Sequence, residues 1–323
     1  HIEPSGLTLQ ENGKESFFGI ATDAANEPYE HGMLYLGNNS SLVFWQDNRG
    51  GDSKIYGSMM TSSFDVDSEI FSNGDINGIP LTNLELAQEK PHAILAGDNI
   101  FLSFKVEESP NENLYFQFLN TQDLSMIGSS LPVSDPSTSK QGFDMTYGND
   151  GFIYYVFSEE YDITLNKISN SGVQEWSISA VQNSTDDIIK SIYPLPDSGC
   201  IIVYESQSFF TGSQIYALTI DGDGNVQGQS PIMLSDLNGD QYFESSIMVN
   251  DGLFISFKDN SSGNYDLYGQ YVSFDGNLNF GDMGLEISTE SNDQEESAIA
   301  YNNILHKVLC CYESSIGSET NIL

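Results

Sequence analysis

Two distant stretches of the sequence are copies of one another. Leu42-Val-Phe-Trp-Gln-Asp-Asn-Arg-Gly-Gly-Asp-Ser-Lys-Ile-Tyr-Gly57 aligns without gaps on Phe254-Ile-Ser-Phe-Lys-Asp-Asn-Ser-Ser-Gly-Asn-Tyr-Asp-Leu-Tyr-Gly269. In both, an alternating strand ends in an aromatic residue, Asp-Asn follows two residues later, and a Gly-containing turn leads to Ile/Leu-Tyr-Gly at the start of the next strand. A short Gly-Ile or Gly-Leu strand comes later in each copy, at Gly78-Ile-Pro-Leu and Gly284-Leu-Glu-Ile. Four weaker copies follow from the pattern: Asn99 to Phe104, Gly151 to Phe157, Gly199 to Tyr204 and Lys307 to Tyr312. A strand precedes each of these across a tight Gly/Asn/Asp turn.

The aromatics that anchor the copies are Trp45, Phe104, Phe157, Tyr204, Phe257 and Tyr312, at intervals of 47 to 59 residues. Counting on from Tyr312 past the C-terminus and through the N-terminus to Trp45 gives another 56. A repeat that closes on its own ends is what a circular array needs, so the expected fold is all-β, a six-bladed β-propeller of four-stranded blades forming a single domain, 1–323. The blades are expected at about 31–85, 86–137, 138–184, 185–238 and 239–292, with the sixth shared between about 1–22 and 293–323. Sharing a blade between both termini hides the two edges that a ring of sheets otherwise exposes. The hairpin around Leu7 to Gln10 and Phe17 to Ala21 is expected to supply its outer strands.

The Trp45, Asp47, Arg49, Gly50, Ile55, Tyr56, Gly57 element, with the later Gly-Ile and its acidic linker, resembles the propeller repeats of large secreted and surface proteins of Bacteroidetes and related bacteria. Many of those are substrates of type IX secretion. The resemblance spans most of the chain as a pattern and is closest in two repeats. It implies a secreted or cell-surface location. Trp45, Arg49, Tyr56, Phe257 and Tyr268 then read as structural residues of the repeat. The family's arginine stands once, at Arg49, with Ser261 in its place in the other close copy.

Charge removes several functions. The chain has 47 Asp+Glu against 10 Lys+Arg, a formal charge of −37. So few cations on so acidic a body build no phosphate-tracking groove, which excludes nucleic acid and anionic lipid as partners. Arg49 is the sole arginine, so chemistry that needs a guanidinium cluster is excluded as well. With 39% apolar and 12% aromatic residues the chain still has material for a core. Its longest apolar run, Phe152 to Phe157, is far short of the roughly 20 residues that cross a bilayer, so no membrane insertion is expected.

Two readings of the acidity stand side by side. In one, carboxylates of the loops and strand starts gather on one face, namely Glu30, Glu89, Asp187 and Glu296 with Asp47, Asp52, Asp259 and Asp266, and bind Ca²⁺, a glycan or a protein partner. In the other they are solvated charge that keeps the protein soluble, or an adaptation to a saline medium. No cofactor is obligatory. The candidate calcium loop is Asp236, Asn238, Asp240 and Glu244, with oxygen ligands at alternate positions, and Asp221-Gly-Asp-Gly-Asn225 is a weaker one that an ordinary turn explains.

Four scattered histidines match no zinc spacing, and no Gly-x-Ser-x-Gly elbow or phosphate loop occurs. Cys200, Cys310 and Cys311 lie in apolar strand-like runs and are expected as buried free thiols. The repeat architecture without catalytic motifs therefore points to a non-enzymatic secreted or surface module for binding, adhesion or spacing. The alternative is a carboxylate-dependent glycoside hydrolase or lyase on the same fold, which needs only two well-placed carboxyl groups.

Overall fold

A computed structural model describes residues 7–11, 14–18, 29–37, 40–61, 78–135, 138, 140–183, 185–208, 212–228, 231–316 and 319–322. The described residues are strands, turns and loops, with no helix among them. Strands β1 (Leu7–Glu11) and β2 (Lys14–Phe18) form a hairpin. Sheet one contains β3 (Tyr29–Gly37), β4 (Ser40–Asp47), β5 (Lys54–Thr61) and β6 (Ile79–Pro80). Sheet two contains β7 (Gln88–Ala96), β8 (Asn99–Glu108), β9 (Asn111–Asn120) and β10 (Met126–Pro132).

Sheet three contains β11 (Lys140–Tyr147), β12 (Phe152–Glu159), β13 (Asp162–Ser169) and β14 (Gln174–Gln182). Sheet four contains β15 (Asp186–Pro194), β16 (Cys200–Ser208), β17 (Gly212–Ile220) and β18 (Ile232–Met233). Sheet five contains β19 (Gln241–Val249), β20 (Gly252–Asp259), β21 (Asp266–Ser273) and β22 (Leu285–Ser288). Sheet six has three strands, β23 (Gln294–Asn302), β24 (Lys307–Ile316) and β25 (Glu319–Ile322). Within every sheet the strands neighbour one another in chain order, as antiparallel meanders. The chain divides into two compact units, His1–Lys140 and Gln141–Leu323.

Stacked sheets explain the composition of the second strands. Along β16, Cys200, Ile202 and Tyr204 join a cluster with Tyr154, Val156 and Leu165 of sheet three, while Ile201 and Val203 join one with Leu253, Ile255 and Phe257 of sheet five. Successive side chains of a strand point to opposite faces, so a strand buried on both faces reads as an unbroken apolar run. In the first unit Leu42, Phe44 and Ile55 pack with Ile100, Leu102 and Phe104 in the same way.

The repeat residues hold each sheet to itself. Trp45 is opposite Tyr56, Phe104 opposite Tyr115, Tyr204 opposite Tyr216 and Phe257 opposite Tyr268 across adjacent strands. The last two pairs stack at 5.4 and 5.9 Å between ring centroids. In the two close repeats a Gly follows, and close packing requires it. A Cβ at Gly57 would stand 2.7 Å from Leu81 Cδ1, and one at Gly269 2.5 Å from Phe254 Cζ.

The first strand of most sheets is bulged opposite the anchoring aromatic, with register shifts between Tyr29 and His31, Glu89 and His92, Ile189 and Ser191, Phe243 and Ser245, and Glu295 and Ala298. A bulge frees a backbone N–H from the ladder. Side chains that follow an anchoring aromatic in the neighbouring sheet capture it: the Gln46 oxygen accepts from Lys90 N at 3.3 Å, Ser158 Oγ from Ile189 N at 3.2 Å, and Glu205 Oε2 from Phe243 N at 3.2 Å.

Candidate functional site

Chemistry gathers on the first strands of sheets three to five. Asp144, half-buried on β11, accepts Met145 N at 2.8 Å on Oδ1 and Ile192 N of β15 at 3.2 Å on Oδ2. Burial pushes its carboxyl up to about 6, against the lowering effect of those two N–H groups. On β15, Tyr193 Oη donates to the Ser246 carbonyl at 2.7 Å and meets Ser246 Oγ at 3.0 Å, while Ser191 Oγ lies 2.8 Å from the same hydroxyl. Burial also raises the Tyr193 phenol, and the charge of Asp144 adds to the shift.

Glu244 occupies the bulge of β19. Its Oε1 is 3.3 Å from Lys258 Nζ and its Oε2 accepts Ser297 N at 2.8 Å. Asp144 and Glu244 thus do the same thing in different sheets, since each caps a backbone N–H on the first strand of the sheet that follows. They differ in compensation: Glu244 has an ammonium beside it and Asp144 has hydrogen bonds from backbone alone. Two carboxyl groups in such unlike environments are the raw material of acid and base roles, and an acid that titrates near 6 can give and take a proton close to neutral pH.

The predicted face comes apart in the structure. Asp47, Asp187, Asp259 and Asp266 are buried, at 0%, 0%, 0% and 5% exposure. They are turned inward because each satisfies local donors. Asp47 accepts Arg49 N at 2.7 Å and is paired with the Arg49 guanidinium at 2.5 Å. Asp187 accepts from Asn183 Nδ2 at 2.8 Å and from Thr185 Oγ1 at 3.1 Å, and burial raises its carboxyl. Asp259 accepts Ser261 N at 2.8 Å, and Asp266 accepts Asn264 Nδ2 at 2.9 Å. Glu30, Asp52 and Glu296 are exposed and Glu89 is half-buried. Arg49 also lies over the Tyr56 ring, 4.1 Å from its centroid, which makes Trp45, Asp47, Arg49 and Tyr56 one structural cluster.

The candidate calcium loop does not assemble either. Asp236 and Asn238 are exposed, Asp240 accepts Ser213 N at 3.0 Å, and Glu244 is held by Lys258 and Ser297. Among the described residues no group of three His, Cys, Asp or Glu side chains stands ready for a metal. The loop docks through its backbone instead, so closely that a Cβ on Gly239 would lie 2.7 Å from Asp259 Oδ1. Asp221 makes an ordinary turn, accepting Asp223 N and Asn225 N at 3.0 and 2.8 Å. Of the thiols, Cys200 is buried, but Cys310 is half-buried and Cys311 exposed, because neighbouring residues of β24 face opposite ways.

Asp144, Tyr193 and Ser246 escape sequence reasoning. One signal was present. Asp144 puts a carboxylate in the middle of a first strand, where the other first strands have His92, Ser191 and Ala298 opposite the residue before the anchoring aromatic.

No protein-family model matches the chain, and no curated protein matches it. Among solved structures it is similar to a polysaccharide lyase, an ulvan lyase, at 11% identity over 88% of this chain and 79% of that one, with a TM-score of 0.50. It is also similar to a subtype N10 neuraminidase-like protein of A/little yellow-shouldered bat/Guatemala/060/2010, at 9% identity over 91% and 92% with a TM-score of 0.49. A third is the endo-arabinase from Bacteroides thetaiotaomicron, at 11% identity over 76% and 95% with a TM-score of 0.37. At such identities the likeness concerns the fold, an all-β, propeller-like stack of antiparallel sheets.

This corrects the expectation of a non-enzymatic module. That expectation took repeat architecture without catalytic motifs as a sign against catalysis. The polysaccharide lyase at a TM-score of 0.50 is an enzyme on a similar fold, so architecture of this kind is no argument against catalysis.

Proposed function

We propose that the chain is a secreted carboxylate-dependent glycoside hydrolase acting on an uncharged polysaccharide. Its framework is a six-bladed β-propeller whose last blade both termini complete. The observation that carries the activity is Asp144, a carboxyl raised to about 6 on the first strand of its sheet. In its protonated form it gives the proton to the departing glycosidic oxygen, and it regains one when water attacks the sugar carbon. Glu244, ion-paired with Lys258, supplies the second carboxylate. Tyr193 and Ser246 orient the strands between them.

Charge decides between hydrolysis and elimination. A lyase must neutralise the substrate's own carboxylate, and a chain of −37 with a single arginine repels a polyuronate. Six blades are supported by five four-stranded sheets and a last sheet of three, together with the N-terminal hairpin.

The test is to incubate the purified chain with neutral and uronate-containing polysaccharides, and to follow new reducing ends and unsaturated products separately. Reducing ends from a neutral polymer, with activity falling as pH rises through about 6 and dropping about 100-fold or more in Asp144→Asn, are expected. Unsaturated products would convert the reading to a lyase. Full activity in Asp144→Asn would remove Asp144 from the chemistry, and no cleavage of any polymer would end the enzymatic reading.

A further inference from the structure

Sheet five carries a second buried carboxylate where sheet one carries a cation. In the gapless alignment of the two close repeats, Asp47 corresponds to Asp259, Arg49 to Ser261 and Lys54 to Asp266. In sheet one, Asp47 lies opposite Lys54 in the register and is closed by the Arg49 guanidinium at 2.5 Å. Sheet five keeps the acid and loses both bases. Asp259 lies directly opposite Asp266, and Gln241 directly opposite Asp259 on the other side.

Directly opposed residues of adjacent antiparallel strands share a face, with Cβ atoms about 5 Å apart. Gln241, Asp259 and Asp266 therefore form one row, and all three are buried, at 0%, 0% and 5% exposure. Two oxygens of this row have no hydrogen-bond partner, Asp259 Oδ2 and Gln241 Oε1. Lys258, the nearest cation in sequence, points to the other face, towards Glu244 and Glu295 at 3.3 and 3.1 Å. Among the described residues neither Asp259 nor Asp266 makes an ion pair. Adjacent buried carboxylates repel and are unsolvated unless something positive joins them.

We infer that this row is the site of a hard, oxygen-ligated divalent cation, held by Asp259 Oδ2, Asp266 and Gln241 Oε1. The cation does for sheet five what Arg49 does for sheet one. Oxygen ligands alone, two of them anionic, are the donor set of Ca²⁺. Sheet six shows why the charge matters. The row there begins with Gln294 opposite Ser314, which also carry unpartnered oxygens, but it has no carboxylate and needs no ion.

The experiment is calorimetric titration of the chelated full chain with Ca²⁺, and thermal unfolding with and without it, at fixed ionic strength. One tight site is expected, with a rise in Tm of several degrees at about a hundredfold excess over Kd. Asp259→Asn and Asp266→Asn are expected to weaken binding at least tenfold. Asp236→Asn, on the exposed loop, is expected to leave it unchanged. Ser261→Arg restores the guanidinium of sheet one, so it should unfold at or above the chelated parent's Tm and respond to Ca²⁺ much less. That variant keeps the test decisive if the Asn variants fail to fold. A wild-type Tm indifferent to Ca²⁺, or undiminished binding in Ser261→Arg and Asp259→Asn, would overturn the inference.

Discussion

Asp144 bears one of the chain's 47 acidic groups, yet its surroundings set it apart. Its carboxyl titrates at about 6 in place of the ordinary 3.8, because burial disfavours the anion. The folded state therefore keeps a proton that the unfolded chain has already released. The stability this confers is complete below about pH 4 and is lost as pH rises through about 6, roughly 3 kcal/mol in total. Asp144→Asn should flatten that part of the stability profile in urea unfolding from pH 4 to 7. A variant profile with the parent's slope would show that other groups set it. Little of this was legible in the sequence. The shift depends on burial and on an N–H from Ile192, forty-eight residues further on, whereas Arg49 and Asp47 are two residues apart and pair through local geometry alone.

The second strands and their aromatics were legible as elements, because a strand buried on both faces has to be apolar throughout. The bulges of the first strands were not, since each holds a charged residue that reads in sequence as ordinary solvent-facing strand or loop: Glu30, Lys90 and Glu296 sit there with φ of 40°, 52° and 53°. What stabilises these bulges lies in another sheet. Ser158→Ala removes the acceptor of the buried Ile189 N–H and should cost about 1–2 kcal/mol in denaturant unfolding. Ser158→Thr keeps the hydroxyl and should recover most of it. Equal losses in both variants would assign the effect to packing. The same blindness explains the predicted acidic face. Asp187 looks like surface charge in the sequence and is instead the clasp of the loop before β15, as Gln88 is before β7, where its Nε2 donates to the Leu84 carbonyl at 2.9 Å.

The whole molecule must fold against its own charge. At −37, with several carboxylates compensated inside, repulsion is concentrated on the exposed ones. Screening shortens from a Debye length of about 10 Å at 0.1 M salt to about 3 Å at 1 M. Tm should therefore rise with NaCl over this range and level off at its upper end. A Tm that does not move would mean that the exposed carboxylates lie too far apart to repel. That the chain is a run of antiparallel, mostly four-stranded sheets was legible from the spaced aromatics, because a repeat needs no tertiary information to be recognised.

The double allegiance of β16 reaches beyond stability. Ile201 and Ile202 are adjacent codons, yet one is fitted to sheet five and the other to sheet three. Over generations of descent they would drift independently, each in step with a partner some fifty residues away in the opposite direction.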